Sequence, residues 1–424
     1  MKKILFLTRN ALRSNISTGN TINNIFNFID KKFLFNIYCR DEIPDLDICS
    51  KYFCISESEL MHFKKNVGKE ININGLKTKD FDTAKESKKI YNTYKKRRLT
   101  IFLWLRELIW ASNSWKSKQL NNFLYESKPD IIYMPIYDCF YMHRVLYYIK
   151  KKTNAKILLF SGDDFYCSKK TQKSIFQKIN AIILKKYIKK TMDICDAVFC
   201  LSSEQIKLYS KIFKNTKFIQ IYKSMDFKNV MCRKNKKNKK VINILFSGNI
   251  DYGRWKTINL LINSINELAQ KNVHFKLDIY TGSAISDKLI VKDNENVKLN
   301  GLISYDELIV LQKKYDVLLN VESFDKIDIE RVKLSFSTKI VDYLYSGNFI
   351  LTIGPKEVNS VSYLLDNEAS LCIINPKNIT STLENLYLNQ NLMYEFSNKS
   401  IRLGKENHDS LNMQKKVTDT INNL

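Results

Sequence analysis

The chain has 424 residues, 44% of them hydrophobic, and a formal net charge of +26 from 69 basic and 43 acidic side chains. Such a length holds two or three domains with full cores, and the ordinary apolar share indicates a globular protein. The composition excludes a membrane span, since no apolar run reaches eighteen residues, and it excludes a zinc site, since the nine scattered cysteines form no Cys-x-x-Cys pair and the four histidines do not join them.

An excess of this size calls for an anionic partner, whether nucleic acid, an anionic bilayer or a phosphorylated substrate. The abundance of Lys, Asn and Ile also fits an AT-rich genome, which accounts for part of the charge. Met1–Leu7 has the charged and apolar start of an export signal, but Arg9, Asn10 and Arg13 cut the apolar run too short, so Ile4–Thr8 is expected as a buried first strand. Without such a signal the cysteines are expected to be reduced packing residues.

After the polar stretch Arg9–Ser17, Thr18-Gly19-Asn20-Thr21 leads into a helix carrying Ile22, Ile25, Phe26 and Phe28. A glycine loop between first strand and first helix can bring backbone N–H groups close to an anion, although a plain strand–helix turn is the commoner explanation. Phe33–Cys39 and Tyr52–Ile55 follow as strands. Residues from about His62 to Leu99 are polar and basic, and end in Lys95-Lys96-Arg97-Arg98. The aromatic run Ile101–Trp110 with Trp115 then reads either as an interfacial helix with tryptophans at headgroup depth or as a core helix. A second helix, Lys169–Lys190, repeats the pattern with Ile175, Phe176, Ile179, Ile182, Ile183 and Ile188 beside Lys185, Lys186, Lys189 and Lys190.

Strands are expected at Ile131–Met134, Lys156–Gly162, Ala197–Leu201 and Phe218–Tyr222, alternating with helical stretches, which predicts a parallel, doubly wound α/β sheet. Asp163 and Asp164 end one of these strands, where ligands bind, although at least one of them also fits a cap. The charged stretch 229–240 lacks an apolar face and reads as a linker between a domain at 1–228 and a second at 241–400, with a terminal helix at 401–424. In that second domain Ile242–Phe246 precedes Ser247-Gly248-Asn249, then Arg254 and Lys256, then a helix carrying Ile258, Leu261, Ile262 and Ile265. Between the strands Val317–Val321 and Phe349–Ile353 lies a short helix with Ile340, Val341 and Leu344 on one face. Ser335 and Ser337 are placed to cap it, and Gly347 to end it. Ser337, Thr338 and Lys339 put hydroxyls and a cation at its phosphate-favouring start, and Asp342 follows one turn later.

These last motifs resemble GT-B glycosyltransferases of the large retaining family 4. Phe246-Ser247-Gly248-Asn249 resembles the family's first glycine turn, Lys256-Thr257-Ile258-Asn259-Leu260-Leu261 its Lys-Gly helix start with Thr257 for Gly, and Lys339–Gly347 its donor-binding helix. The family's first acid falls on Leu334, and Asp342 stands for the second. The resemblance covers about residues 241–375 strongly and 1–240 weakly. It implies an α/β fold of two Rossmann-like, doubly wound domains facing a central cleft, and transfer of a sugar from a nucleotide-diphosphate sugar, a UDP-sugar first among them. It further implies Gly248, Asn249, Ser337, Thr338 and Lys339 at the donor with Asp342 on its ribose. Arg254 and Lys256 would stand on the leaving diphosphate, and Asp163, Gly19 and Asn20 in the acceptor cleft.

No cofactor and no metal are expected, Asp45-Leu46-Asp47 being a surface loop. The expected partners are a nucleotide sugar, a glycan or lipid-diphosphate acceptor of bacterial surface-polysaccharide synthesis and an anionic membrane surface. The protein is expected in the cytoplasm, peripheral to the inner face of the plasma membrane. Two rivals stand beside this reading: a basic nucleic-acid-binding protein, which lacks any recognisable binding module here, and a non-catalytic GT-B-like scaffold.

Overall fold

The structure, a computed structural model, describes residues 1–13, 17–62, 64–71, 100–167, 174–231, 239–292 and 294–424. The basic run Lys95–Arg98, the start of the expected helix at Lys169 and positions 232–238 of the expected linker lie outside the described residues. The chain divides into two compact units. The first comprises Met1–Cys167, Thr171–Ile221 and Gln414–Leu424, and the second is built on Tyr222–Met413.

In the first unit the apolar runs become β1 (Ile4–Thr8), β2 (Leu34–Tyr38), β3 (Lys51–Cys54), β4 (Lys69–Ile71), β5 (Ile131–Pro135), β6 (Lys156–Ser161), β7 (Ala197–Cys200) and β8 (Phe218–Gln220). Their order in the sheet is β4-β3-β2-β1-β5-β6-β7-β8. Every pairing is parallel except that of β3 with the short edge strand β4. A parallel sheet is covered on both faces, which is why β1 and β5 are apolar but for Thr8, with every residue buried. Phe6, Phe26 and Tyr133 meet edge to face at 4.9–5.7 Å and fix the helix Ser17–Phe26 against β1 and β5. The chain winds outward from β1 in both directions, so the order reverses between β1 and β5.

The second unit repeats this plan with β9 (Val241–Ser247), β10 (His274–Tyr280), β11 (Val297–Asn300), β12 (Val317–Val321), β13 (Phe349–Ile353) and β14 (Leu371–Ile373). All six are parallel, in the order β11-β10-β9-β12-β13-β14, so the reversal falls between β9 and β12. Ile258, Leu261, Ile262 and Ile265 of the helix Arg254–Ala269 are fully buried against the sheet, as their spacing predicts.

Several expectations need correction. The first helix starts at Ser17, so Gly19 and Asn20 lie in its first turn and not in a loop. The missing side chain of Gly19 admits the backbone of Arg13. Of the two readings open for the tryptophans at 110 and 115, the core reading holds: they are 0% and 1% exposed, with Trp110 stacked on Tyr141 at 4.3 Å and the Trp115 indole N–H donating to the Trp110 carbonyl. Ser335 and Ser337 do not cap the helix Lys339–Ser346. Thr338 holds the cap position without a side-chain bond, and Ser337 contributes only its carbonyl, which accepts from the Ile340 amide. Gly347 does end that helix, at φ +72°. The terminal helical stretch is three helices, Ile379–Leu388, Asn391–Asn407 and Ser410–Asn423.

The eight described cysteines are free, five of them buried. Among the described residues no helix is long and apolar enough to cross a membrane, and no cluster of three His, Cys, Asp or Glu side chains could hold a metal ion.

Candidate functional site

In open parallel sheets ligands bind beyond the carboxyl ends of the strands where the order reverses. In the second unit that place is the end of β9 and β12. Beyond β9, Gly248 takes φ +131° and its amide donates to the Tyr280 carbonyl at 3.0 Å, with open space where a side chain would be. Asn249 folds the next loop: its Oδ1 accepts from the Asp251 amide at 2.5 Å and the Ser283 hydroxyl at 3.0 Å. The loop ends at Gly253, at φ +73°, where any side chain would strike Asp328 and Ser323. The helix beginning at Arg254 then runs back along the sheet.

Beyond β12 comes Glu322, 2% exposed, held in a two-pronged pair by Arg254, Nε to Oε2 at 2.9 Å and Nη2 to Oε1 at 3.1 Å. The Ser360 hydroxyl donates to the same carboxylate at 3.2 Å, and the Thr257 hydroxyl to the Glu322 carbonyl at 2.9 Å. The forked geometry of guanidinium on carboxylate fixes the Arg254 head in place.

Lys339 stands beside this pair at the first position of the helix Lys339–Ser346. Its ammonium lies over the Phe246 ring at 4.7 Å and near the Tyr343 ring at 5.9 Å, and it has no ion pair among the described residues. Burial, and then the charge of Arg254, push its pKa down to about 7, with Glu322 opposing the shift. An unpaired cation next to a fixed guanidinium is an anion-seeking arrangement.

The other candidates fall differently. Lys256 is exposed and pairs with Asp325, whose hydrogen bond raises the Lys256 pKa. Asp342 is buried: its Oδ1 accepts from the Lys223 ammonium at 2.5 Å and the Tyr305 hydroxyl at 2.7 Å. Burial and this carboxylate push the Tyr305 phenol well above its usual range. Ser337 and Thr338 are half-buried at the same helix start.

In the first unit Asp163 is exposed on the turn after β6, and its carbonyl accepts from Ser161 and Gln205. Asp164 organises that turn, its Oδ1 accepting from the amides of Tyr166 and Cys167 and from the Tyr209 hydroxyl at 2.7 Å. Beyond β1 and β5 the Arg9 guanidinium pairs with Asp138 at 3.0 Å, while Glu42 accepts from the Asn10 side chain and the Ala11 amide. The structure thus sets Lys339 beside Arg254, with Gly248 on the turn that ends the neighbouring strand β9, and leaves Lys256 and Asp342 engaged with partners of their own. Gly19 and Asn20 sit in a helical turn, and Asp163 is in the other unit.

Sequence reasoning missed Glu322, Lys223, Tyr305 and Arg9. Glu322 and Arg9 each follow a strand at a point of reversal, and that position was the available signal. Lys223 and Tyr305 carried none.

Two doubly wound, parallel-sheet Rossmann-like domains in one chain make the GT-B fold. Anabaena HepE, solved with UDP and glucose, is similar over 100% of both chains, at a TM-score of 0.62 and 11% identity. A sucrose-phosphate synthase from Thermosynechococcus elongatus is similar over 100% of this chain and 99% of its own, at 0.63 and 12%. S. aureus TarM, solved with UDP and an α-GlcNAc-glycerol, covers 70% of this chain with 57% of its own, at 0.51 and 16%. No known sequence family and no curated protein matches the chain.

Proposed function

We propose that this protein is a glycosyltransferase of the family 4 type that takes its sugar from a nucleotide-diphosphate sugar, a UDP-sugar first. The observation that carries the reading is the Lys339 ammonium, without an ion partner among the described residues, beside Arg254 at the reversal of the second sheet. Sugar transfer breaks the bond between the anomeric carbon and the diphosphate oxygen, and the charge left on that oxygen must be stabilised away from water. Lys339 would meet this charge directly, with Arg254 oriented by Glu322 beside it. HepE and TarM were both solved with UDP, which supports a uridine nucleotide here.

The transfer would proceed with retention, to a glycan or lipid-diphosphate acceptor in the synthesis of capsule, lipopolysaccharide or exopolysaccharide, on the cytoplasmic side of the membrane. The engaged state of Asp342, with Leu334 in place of a first acid, favours a second reading in which the fold binds nucleotide sugar without transferring it.

A thermal-shift panel of UDP, GDP, CDP and their sugars on the wild type and Lys339→Met tests the donor site. A nucleotide that stabilises the wild type and not the variant supports it, and no shift with any nucleotide overturns it. Release of UDP and formation of a new glycosidic bond separate the enzyme from the scaffold.

A further inference from the structure

The two helices that the sequence marks as aromatic and basic, Thr100–Ala111 and Ile175–Ile194, are neighbours in the first unit. Trp104 joins them, its indole N–H donating to Asn180 at 3.2 Å and its ring meeting Phe176 edge-on at 6.0 Å. The tryptophans at 110 and 115 are used up in the core, yet the outward face is still apolar. Leu108 is 68% exposed, Ile175 63%, Phe176 57% and Ile182 57%, with Leu103 and Ile179 open beside them. Ile175, Phe176, Ile179 and Ile182 follow one another over the first turns of a single helix, an exposed apolar stripe of the kind that marks a contact site.

Charge is distributed along the second helix with the same regularity. Its first two turns expose Ile175, Phe176, Ile179 and Ile182, and its later turns expose Lys185, Lys186, Lys189 and Lys190. Ile175 to Lys190 spans about 22 Å at the helical rise. Lys189 pairs with Asp193, whereas Lys178, Lys185, Lys186 and Lys190 have no carboxylate partner among the described residues. The Lys185 and Lys190 ammonium groups rest over the rings of Tyr166 and Tyr147.

We propose that this two-helix face docks on an anionic lipid bilayer, with the leucine, isoleucine and phenylalanine side chains in the interface and the lysine row on the headgroups. An apolar tip continued by unpaired lysines fits such a surface: the acyl boundary takes the apolar groups and anionic headgroups the cations. A second copy of the chain would instead have to bring uncompensated lysine rows into contact, or leave them without partners.

Flotation of the full-length protein with phosphatidylcholine vesicles, with and without phosphatidylglycerol, tests the proposal. It is done without nucleotide, so its outcome is independent of the donor reading. The wild type should float with the anionic vesicles, less so at high salt. Phe176→Glu and Ile182→Glu should each weaken partitioning about tenfold. Lys185→Glu combined with Lys186→Glu should weaken it by about thirtyfold or more on anionic vesicles alone. All these positions are exposed, and an unchanged melting temperature verifies that each variant is folded. The proposal is overturned if the wild type does not float, if neutral and anionic vesicles bind equally, or if the variants float as well as the wild type. A dimer in sedimentation velocity that Ile182→Glu dissociates, with no flotation of the wild type, would give the face to a second copy instead.

Discussion

Lys339 makes nucleotide-sugar binding sensitive to pH in a calculable way. With a pKa of about 7 in the free protein, the ammonium is about nine-tenths charged near pH 6 and about one-tenth charged near pH 8. A bound diphosphate favours the charged form, so binding above the free pKa must also take up a proton. If the diphosphate holds Lys339 charged throughout, affinity falls about tenfold between about pH 6 and pH 8, or about 1.4 kcal/mol. UDP-glucose is the probe to use, because its diphosphate does not titrate in this range, and isothermal calorimetry reads both the affinity and the proton uptake. Lys339→Arg should bind with no slope, and Lys339→Met should bind weakly with no slope.

The same residue acts on stability with the opposite sign. Its folded pKa lies below the unfolded value of 10.5, so its burial costs nothing above that value and destabilises the fold as pH falls towards 7. Lys339→Met should therefore raise the melting temperature near neutral pH while weakening the ligand. A wild-type affinity that stays level between about pH 6 and pH 8, or a Lys339→Met variant that keeps the slope, would refute the argument.

Three further outcomes are expected. Glu322→Ala leaves the largely buried Arg254 without its partner and should cost about 3 kcal/mol, seen as a lower melting temperature, with Glu322→Gln costing less. His143 and His408 are fully buried with pKa values pushed down to about 4 by burial. Stability should thus be full above about pH 6.5 and fall by about 3 kcal/mol per histidine as pH drops to about 4, and His408→Asn should flatten its share of that acid limb in a melting series. Gly404→Ala would improve helix propensity by about 1 kcal/mol, but the new methyl strikes the Phe227 ring, so the melting temperature should drop.

The sequence carried the sheets because central parallel strands are largely apolar on both faces, as the runs Ile4–Thr8 and Val317–Val321 show. Period and length also placed the helix at Arg254–Ala269. Elements with weaker patterns were not legible: β14 has three residues, and β4 is a charged edge strand whose pairing depends on β3 alone. At the site, a cation after a glycine turn was visible, but which cation stays free was not. Lys256 and Lys339 look alike in sequence; Asp325 claims the first, and the rings of Phe246 and Tyr343 shelter the second. Asp342 read as a free carboxylate because its partner Lys223 lies 119 positions away. The tryptophan helix read two ways since the same residues satisfy a core and an interface, and the structure divides them, with the indoles at 110 and 115 inward and the leucines outward.

The last residues of the chain belong to the first unit, where Val417 and Ile421 are buried and the Asn422 carbonyl accepts from Lys2. That unit therefore cannot finish folding as it leaves the ribosome. At ordinary translation rates its closing segment emerges about 10–40 s after Ile221, during which the second unit is made in full. Until then the seat for Val417 and Ile421 stays open, and a chaperone has a defined interval in which to cover it. Removing or crowding the final helix should lower the yield of folded first unit, even though every strand of its sheet has long been synthesised.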